Sequence, residues 1–235
     1  MALLSCILGY ANPKMIYSEF IRSRCHHSIG EFQMGQSTVS IPKAVSGTSD
    51  KATVDQSEPL EISIFSTEIG WCGLLGRNKT VERLLIGHHS VADVHQAVAA
   101  LDLRDHINSG QEIEEANWFP ELRERLLGYF QGALVEFQDI KVNLPRLTTF
   151  QSRVIRELKK IGYGKRITYG ELAKKAGAPR AARAVGTVMS SNRIPILIPC
   201  HRVIASGGKL GGFSAPQGTS LKQHLLTLEA ESFQE

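Results

Sequence analysis

The 235-residue sequence predicts a small α/β unit over residues 60–145 followed by a mostly helical unit over 146–235 that contains a helix-turn-helix. Three observations predict it. Short apolar-alternating stretches cluster between 60 and 87. Two helix-length segments meet at Gly177-Ala178-Pro179. The charge also reverses near Leu144: residues 1–144 carry 12 Lys/Arg against 18 Asp/Glu, net −6, and residues 145–235 carry 15 against 5, net +10.

Composition narrows the class. With 42% hydrophobic and 21% charged residues, the chain can build a sizeable core and is unlike a disordered protein. No apolar run approaches a membrane span, so an integral membrane protein is excluded. Cys6, Cys25, Cys72 and Cys200 are too scattered for a disulfide framework. The opening run MALLSCILGYA lacks a basic start, so the expected location is intracellular, where thiols stay reduced. A basic C-terminal third beside an acidic front suggests a nucleic-acid-binding domain, although a solvated lysine-rich surface has the same count.

In chain order, residues 1–59 show weak periodicity and end in a polar stretch, so a poorly ordered extension or linker is expected. LEISIFST (60–67) alternates as a half-buried strand does. Gly70 breaks the pattern, and WCGLLGR (71–77) and VERLLIG (81–87) read as strands joined by a turn at Asn78-Lys79. Cys72 reads as a buried strand residue. Ser90 caps a helix running to Leu103. A second helix over 119–134 places Leu122, Leu126, Leu127 and Phe130 on one face. Asn143-Leu144-Pro145 closes this unit.

The basic part opens with a helix capped by Thr148 or Thr149, with a Val154, Ile155, Leu158 stripe, ending at Gly162 and Gly164. Helices over Tyr169–Ala176 and Arg180–Met189 follow. The second offers the small face AARAVG and one long cation, Arg183, and so could approach a partner surface closely. An ordinary helix pair packed on a core would look the same.

IPILIP (194–199) reads as a short buried strand stopped by Pro199 immediately before Cys200. His201 and Arg202 beside the cysteine bias it toward thiolate. On a strand, neighbouring side chains point to opposite faces. Cys200 and His201 therefore meet only if the chain turns there or a water bridges them. A buried structural cysteine is the competing reading.

IPCHRV, preceded by PRAARAVG and followed by GGFS, resembles the O6-alkylguanine-DNA alkyltransferases (methylated-DNA–protein-cysteine methyltransferases). The resemblance covers roughly 60–230 and is strongest over 149–229. It implies a ribonuclease-H-like front domain and a winged-helix-like DNA-binding domain. The activity it implies is irreversible, single-turnover transfer of an alkyl group from flipped O6-alkylguanine in double-stranded DNA. O6-methylguanine is the chief lesion, with O4-methylthymine as a secondary candidate.

In that family's pattern Cys200 is the acceptor, His201 the base acting through a water, and Glu229 the carboxylate that orients it. Asn192 braces the segment, and Tyr169 helps guanine leave. Arg183 fills the gap in the base stack, with Ala181, Ala182, Arg180, Thr168 and Tyr169 along the DNA. Val203, Ser214, Phe213 and Met189 form the base pocket. Physically, the alkylated oxygen lies inside the duplex, so the base must be extruded. A long cation on a small-faced helix can fill the vacancy. Lysines between Lys159 and Lys175, with Arg166 and Arg180, can meet phosphates. The resemblance also implies a monomer without cofactor or membrane partner, cytoplasmic, or nuclear in a eukaryote.

The chain departs from the pattern in three ways. Ala215-Pro216 stands where many members have Gly-Gly. Lys222 follows the loop with extra residues in between. The zinc ligands of some members are not found over 66–87, and His88-His89 and Cys25-His26-His27 give no four-ligand spacing, so no metal is expected. A lesion-recognition protein without transfer is disfavoured by Cys200. A sequence-specific regulator is disfavoured by the few base-reading side chains in AARAVGTVM.

Overall fold

Alternation in the front strands translates into a sheet covered on both faces. In the computed structural model, residues 59–101, 113–144 and 146–232 are described. The expected extension, residues 1–59, lies outside them apart from Pro59. Strands β1 (Leu60–Thr67), β2 (Gly70–Arg77) and β3 (Thr80–His88) form an antiparallel meander. Asn78 and Lys79 both take positive φ, 49° and 54°, as the two-residue hairpin requires. Short edge strands β4 (Ile113–Glu115) and β5 (Lys141–Val142) pair parallel to β1 and β3, giving the order β4-β1-β2-β3-β5. Neither edge strand was expected, because two or three residues carry no readable period.

Helix α1 (Val91–Ala99), capped by Ser90, packs Val94 and Val98 with Leu60, Ile62 and Leu75 on one face of the sheet. It ends before the expected Leu103, which lies outside the described residues. On the other face, α2 (Pro120–Phe130) buries Leu122, Leu126, Tyr129 and Phe130 in a cluster with Leu74, Leu84 and Ile86. Its last turn stops four residues short of Leu134, with Gly132 at φ 86° just beyond. The same cluster continues without a break through Val154, Leu158, Leu172 and Val185 of the helical part.

Helix α3 (Thr149–Leu158) is capped by Thr148, whose hydroxyl accepts from the Gln151 N–H while the Gln151 side chain accepts from the Thr148 N–H. It ends four residues before Gly162. The helix pair is α4 (Tyr169–Lys175) and α5 (Ala182–Ser190), with Gly177 at φ 76° in the turn. α5 starts two residues later than expected, because Arg180 and Ala181 still belong to the turn. β6 (Ile167–Thr168) and β7 (Val203–Ile204) form a parallel pair, and α6 (Gly218–Glu231) closes the unit.

IPILIP is buried, as expected, but it is not a strand. Ile196 takes φ 69°, and the Leu197 and Ile198 N–H groups donate to the Pro195 and Ile194 carbonyls. The cause is local: Asn192 Oδ1 accepts from the Ile194 N–H, and its Nδ2 donates to the Ile198 carbonyl. One side chain thus satisfies the backbone groups that a neighbouring strand would have taken. No helix among the described residues is long and apolar enough to cross a membrane.

Candidate active site

The turning IPILIP segment delivers Cys200 to the start of a 3-10 helix, Cys200–Arg202. This turn lets consecutive side chains serve one site. The Cys200 Sγ accepts from Asn192 Nδ2 at 3.0 Å. Asn192 therefore holds both the loop and the sulfur.

His201 is fully buried, and its Nε2 lies 2.9 Å from Glu229 Oε1. Its Nδ1 is buried with no hydrogen-bond partner among the described residues. Glu229, on α6, collects more donors: Arg202 Nε at 3.1 and 3.0 Å from its two oxygens, Arg202 Nη2 at 2.8 Å, the Gly164 N–H at 3.0 Å and the Tyr129 hydroxyl at 2.7 Å. Burial pushes this carboxyl up, but the His201 and Arg202 bonds outweigh it and hold it at about 2.

The same balance sets the reacting pair. Burial lowers the His201 pKa, with Glu229 opposing, so the ring rests neutral near pH 7. Burial raises the Cys200 pKa, and the Asn192 bond and the Lys222 charge only partly offset it. The resting group is therefore a thiol. This corrects the expected thiolate bias. The adjacent His201 is neutral, and Arg202 spends its charge on Glu229.

Lys222, unplaced by sequence, is buried. Its Nζ donates to the Val203 carbonyl at 2.6 Å and stands 5.8 Å from the Tyr169 ring centroid. Burial lowers its pKa. Tyr169 opens α4 and is half-buried, its pKa raised by burial and by Cys200. Gly211, at φ 70°, passes so close to the Tyr169 hydroxyl that a Cβ there would lie 2.7 Å from it.

Cys200 opens into a cleft of about 510 Å³. Met189, Phe213 and Ser214 line it on the helical side, with Ala215 and Pro216. Leu85, His88 and Leu101 line it on the sheet side. Val203 is buried beneath and, like Tyr169, is not among the lining residues. The Ser214 hydroxyl donates to the Ser190 carbonyl at 3.0 Å, tying the loop to α5. Gln217 pins the far end of that loop through its Nε2 to the Ile69 and Gly87 carbonyls.

Arg180, in the turn before α5, and Arg183, in its first turn, are exposed, with Ala181 and Ala182 half-buried between them. Thr168 caps α4, accepting from the Glu171 N–H while Glu171 accepts from its N–H and hydroxyl. Three contributors escaped sequence reasoning: Tyr129, Arg202 as the partner of Glu229, and Gly164. Among the described residues no group of three or more metal-capable side chains stands together. Cys25, His26 and His27 lie outside them.

A buried cysteine flanked by a His–Glu pair, beside a helix-turn-helix, defines a class of DNA-directed cysteine acceptors. The comparisons give the family. Residues 149–231 match the 6-O-methylguanine DNA methyltransferase DNA-binding domain. A methylated-DNA–protein-cysteine methyltransferase of Methanosarcina acetivorans is 45% identical over 117 residues, 50% of this chain and 72% of the relative. One from Mycolicibacterium paratuberculosis is 51% identical over 106 residues, 45% of this chain and 62% of the relative. The structure of Mycobacterium tuberculosis OGT in complex with DNA superposes with a TM-score of 0.59 at 34% identity, covering 73% of this chain and 94% of that one. The chain belongs to the methylated-DNA–protein-cysteine methyltransferase family.

Proposed function

We propose that this protein repairs DNA by moving the alkyl group of O6-alkylguanine from duplex DNA onto its own Cys200, once per molecule. One observation carries the reading: a thiol at the head of a cleft, braced by Asn192 and followed by a buried His201–Glu229 pair whose remaining ring nitrogen is unpartnered.

The chemistry follows from that order. His201 Nδ1 takes the thiol proton through a bridging water. The sulfur attacks the alkyl carbon, an S–C bond forms and the C–O bond breaks. The electron pair goes to the purine, which takes up one proton and leaves as guanine, with Tyr169 assisting. Glu229 stabilises the imidazolium while it exists. The product is a thioether, which this reading treats as permanent. In this reading Arg183 enters the stack behind the extruded base. Ala181 and Ala182 allow close approach in the minor groove, and Arg180 and Thr168 flank the backbone. Met189, Phe213 and Ser214, with the Val203 backbone, receive the base.

The same proposal treats residues 60–145 and 146–235 as two domains, the first ribonuclease-H-like and the second winged-helix-like. The sheet order β4-β1-β2-β3-β5 with its antiparallel meander supports the first assignment. The α4–α5 pair supports the second. The protein acts as a monomer in the compartment that holds the DNA, cytoplasm or nucleus. Incubating a duplex with one O6-methylguanine and counting lesions lost per protein tests this. The expected plateau is one lesion per protein; no loss, or many turnovers, overturns it.

A further inference from the structure

The acid–base relay is not built from the helical part alone. Tyr129 sits on α2, the helix that covers the front sheet, 72 residues before His201 and 100 before Glu229 in sequence. It is fully buried, and its ring is held edge-on by Phe130, Phe137 and Tyr163 at centroid separations of 5.4–5.9 Å. The hydroxyl end reaches 2.7 Å from Glu229 Oε1 and 3.3 Å from His201 Nε2.

Proton counting then fixes the tautomer. Glu229 is ionised and can only accept, so the single Tyr129 hydroxyl proton is committed to Oε1. What Tyr129 shows to His201 is a lone pair. Nε2 therefore faces two acceptors, Glu229 Oε1 and Tyr129 Oη, and no donor. It must carry the hydrogen. A neutral imidazole has one such hydrogen, so Nδ1, the nitrogen without a protein partner, holds the free lone pair.

We propose that Tyr129 is a positioning residue that locks His201 in its Nε2–H form and points the basic Nδ1 toward Cys200, so that the sheet-bearing part of the chain supplies one member of the relay. This rests on the alkyl-transfer reading above. Tyr129 acts only through His201 and Glu229 and touches no reacting atom.

The charged and titratable groups around His201 are Glu229 and Lys222 from α6, Arg202 from its own turn, and Tyr129 from α2. Tyr129→Phe changes one of these and keeps the ring. Without its hydroxyl donor, Oε1 concentrates its charge on His201 and favours the imidazolium. The His201 titration midpoint then moves up, yet transfer slows about tenfold, because Nε2 keeps one acceptor instead of two and the ring no longer holds Nδ1 in place, the loss of one hydrogen bond. A ring-fluorinated tyrosine at 129 is a stronger donor and moves the midpoint down.

The experiment uses the full chain, labelled with 15N-histidine, with transfer rates and the His201 titration followed in parallel. Slower transfer with an upward shift in Tyr129→Phe, and a downward shift with fluorotyrosine, supports the inference. Wild-type transfer with an unchanged rate and midpoint in Tyr129→Phe overturns it. So do shifts of the same sign in both variants, which would mean lost packing. If the wild type transfers nothing, the alkyl-transfer reading fails. The nitrogen spectra still decide the tautomer: a hydrogen on Nδ1 overturns the inference.

Discussion

Cys72 and Cys200 are both buried, and the protein treats them oppositely. Cys72 lies mid-strand in β2, with only the Thr67 hydroxyl, at 3.8 Å, and the Gly87 backbone to offset burial, and its thiol is pushed up to about 12. Cys200 lies on a turn with an amide donor on its sulfur, a buried lysine nearby and a cleft in front. Burial alone makes an inert cysteine. Burial with an amide donor, a nearby lysine charge and a neutral histidine next in the chain makes a poised one. The distinction lies in neighbours brought from the turn after α5 and from α6, not in the thiol.

The comparison can be broken most directly at the sulfur. Cys200→Ala should abolish alkyl transfer while leaving duplex binding within about twofold, a change of under 0.5 kcal/mol; Cys72→Ala should leave transfer unchanged. Any residual transfer by the first variant, or loss in the second, would break the contrast. Next comes the base. His201→Gln should slow single-turnover transfer by about 10²–10⁴, the range for losing a general base. In the wild type the rate should fall with acid only at a midpoint below the ordinary histidine value, since burial lowers the His201 pKa.

Glu229→Gln sharpens the electrostatic side. It leaves the Arg202 guanidinium buried without its counter-charge, and should cost about 3–5 kcal/mol in denaturant unfolding. The sign for the wild type follows. The Glu229 pKa is depressed from 4.5 to about 2, so its contribution to stability is complete above 4.5 and disappears as pH falls through about 2. Acid titration followed by circular dichroism checks it. The smallest effect belongs to Asn192→Ala. Loss of the donor to sulfur should slow transfer about tenfold, read in the same single-turnover assay.

Much of this was legible along the chain, and the exceptions have a common cause. The β2–β3 hairpin, the Thr148 cap and the α4–α5 pair follow from local patterns, and the structure has them. Cys200, His201, Asn192 and Glu229 were singled out, and the structure brings them together. IPILIP looked like a strand because its composition is that of one; the Asn192 side chain, not a strand edge, takes its backbone groups. The thiolate expectation failed because it counted neighbouring charges in sequence, whereas the partner of Arg202 is 27 residues away. Tyr129 was not among the residues that the sequence placed on the apolar face of its helix, and no local signal marks it. Nothing local distinguishes it from Phe130 until the fold brings Glu229 to its hydroxyl.

The most direct measurement is peptide mass spectrometry of the whole protein after reaction with a duplex carrying one O6-methylguanine. The account predicts one added methyl group per molecule, on the peptide that contains Cys200 and not on the one that contains Cys72. A methyl group on Cys72, or none on Cys200 while the lesion disappears, would contradict it.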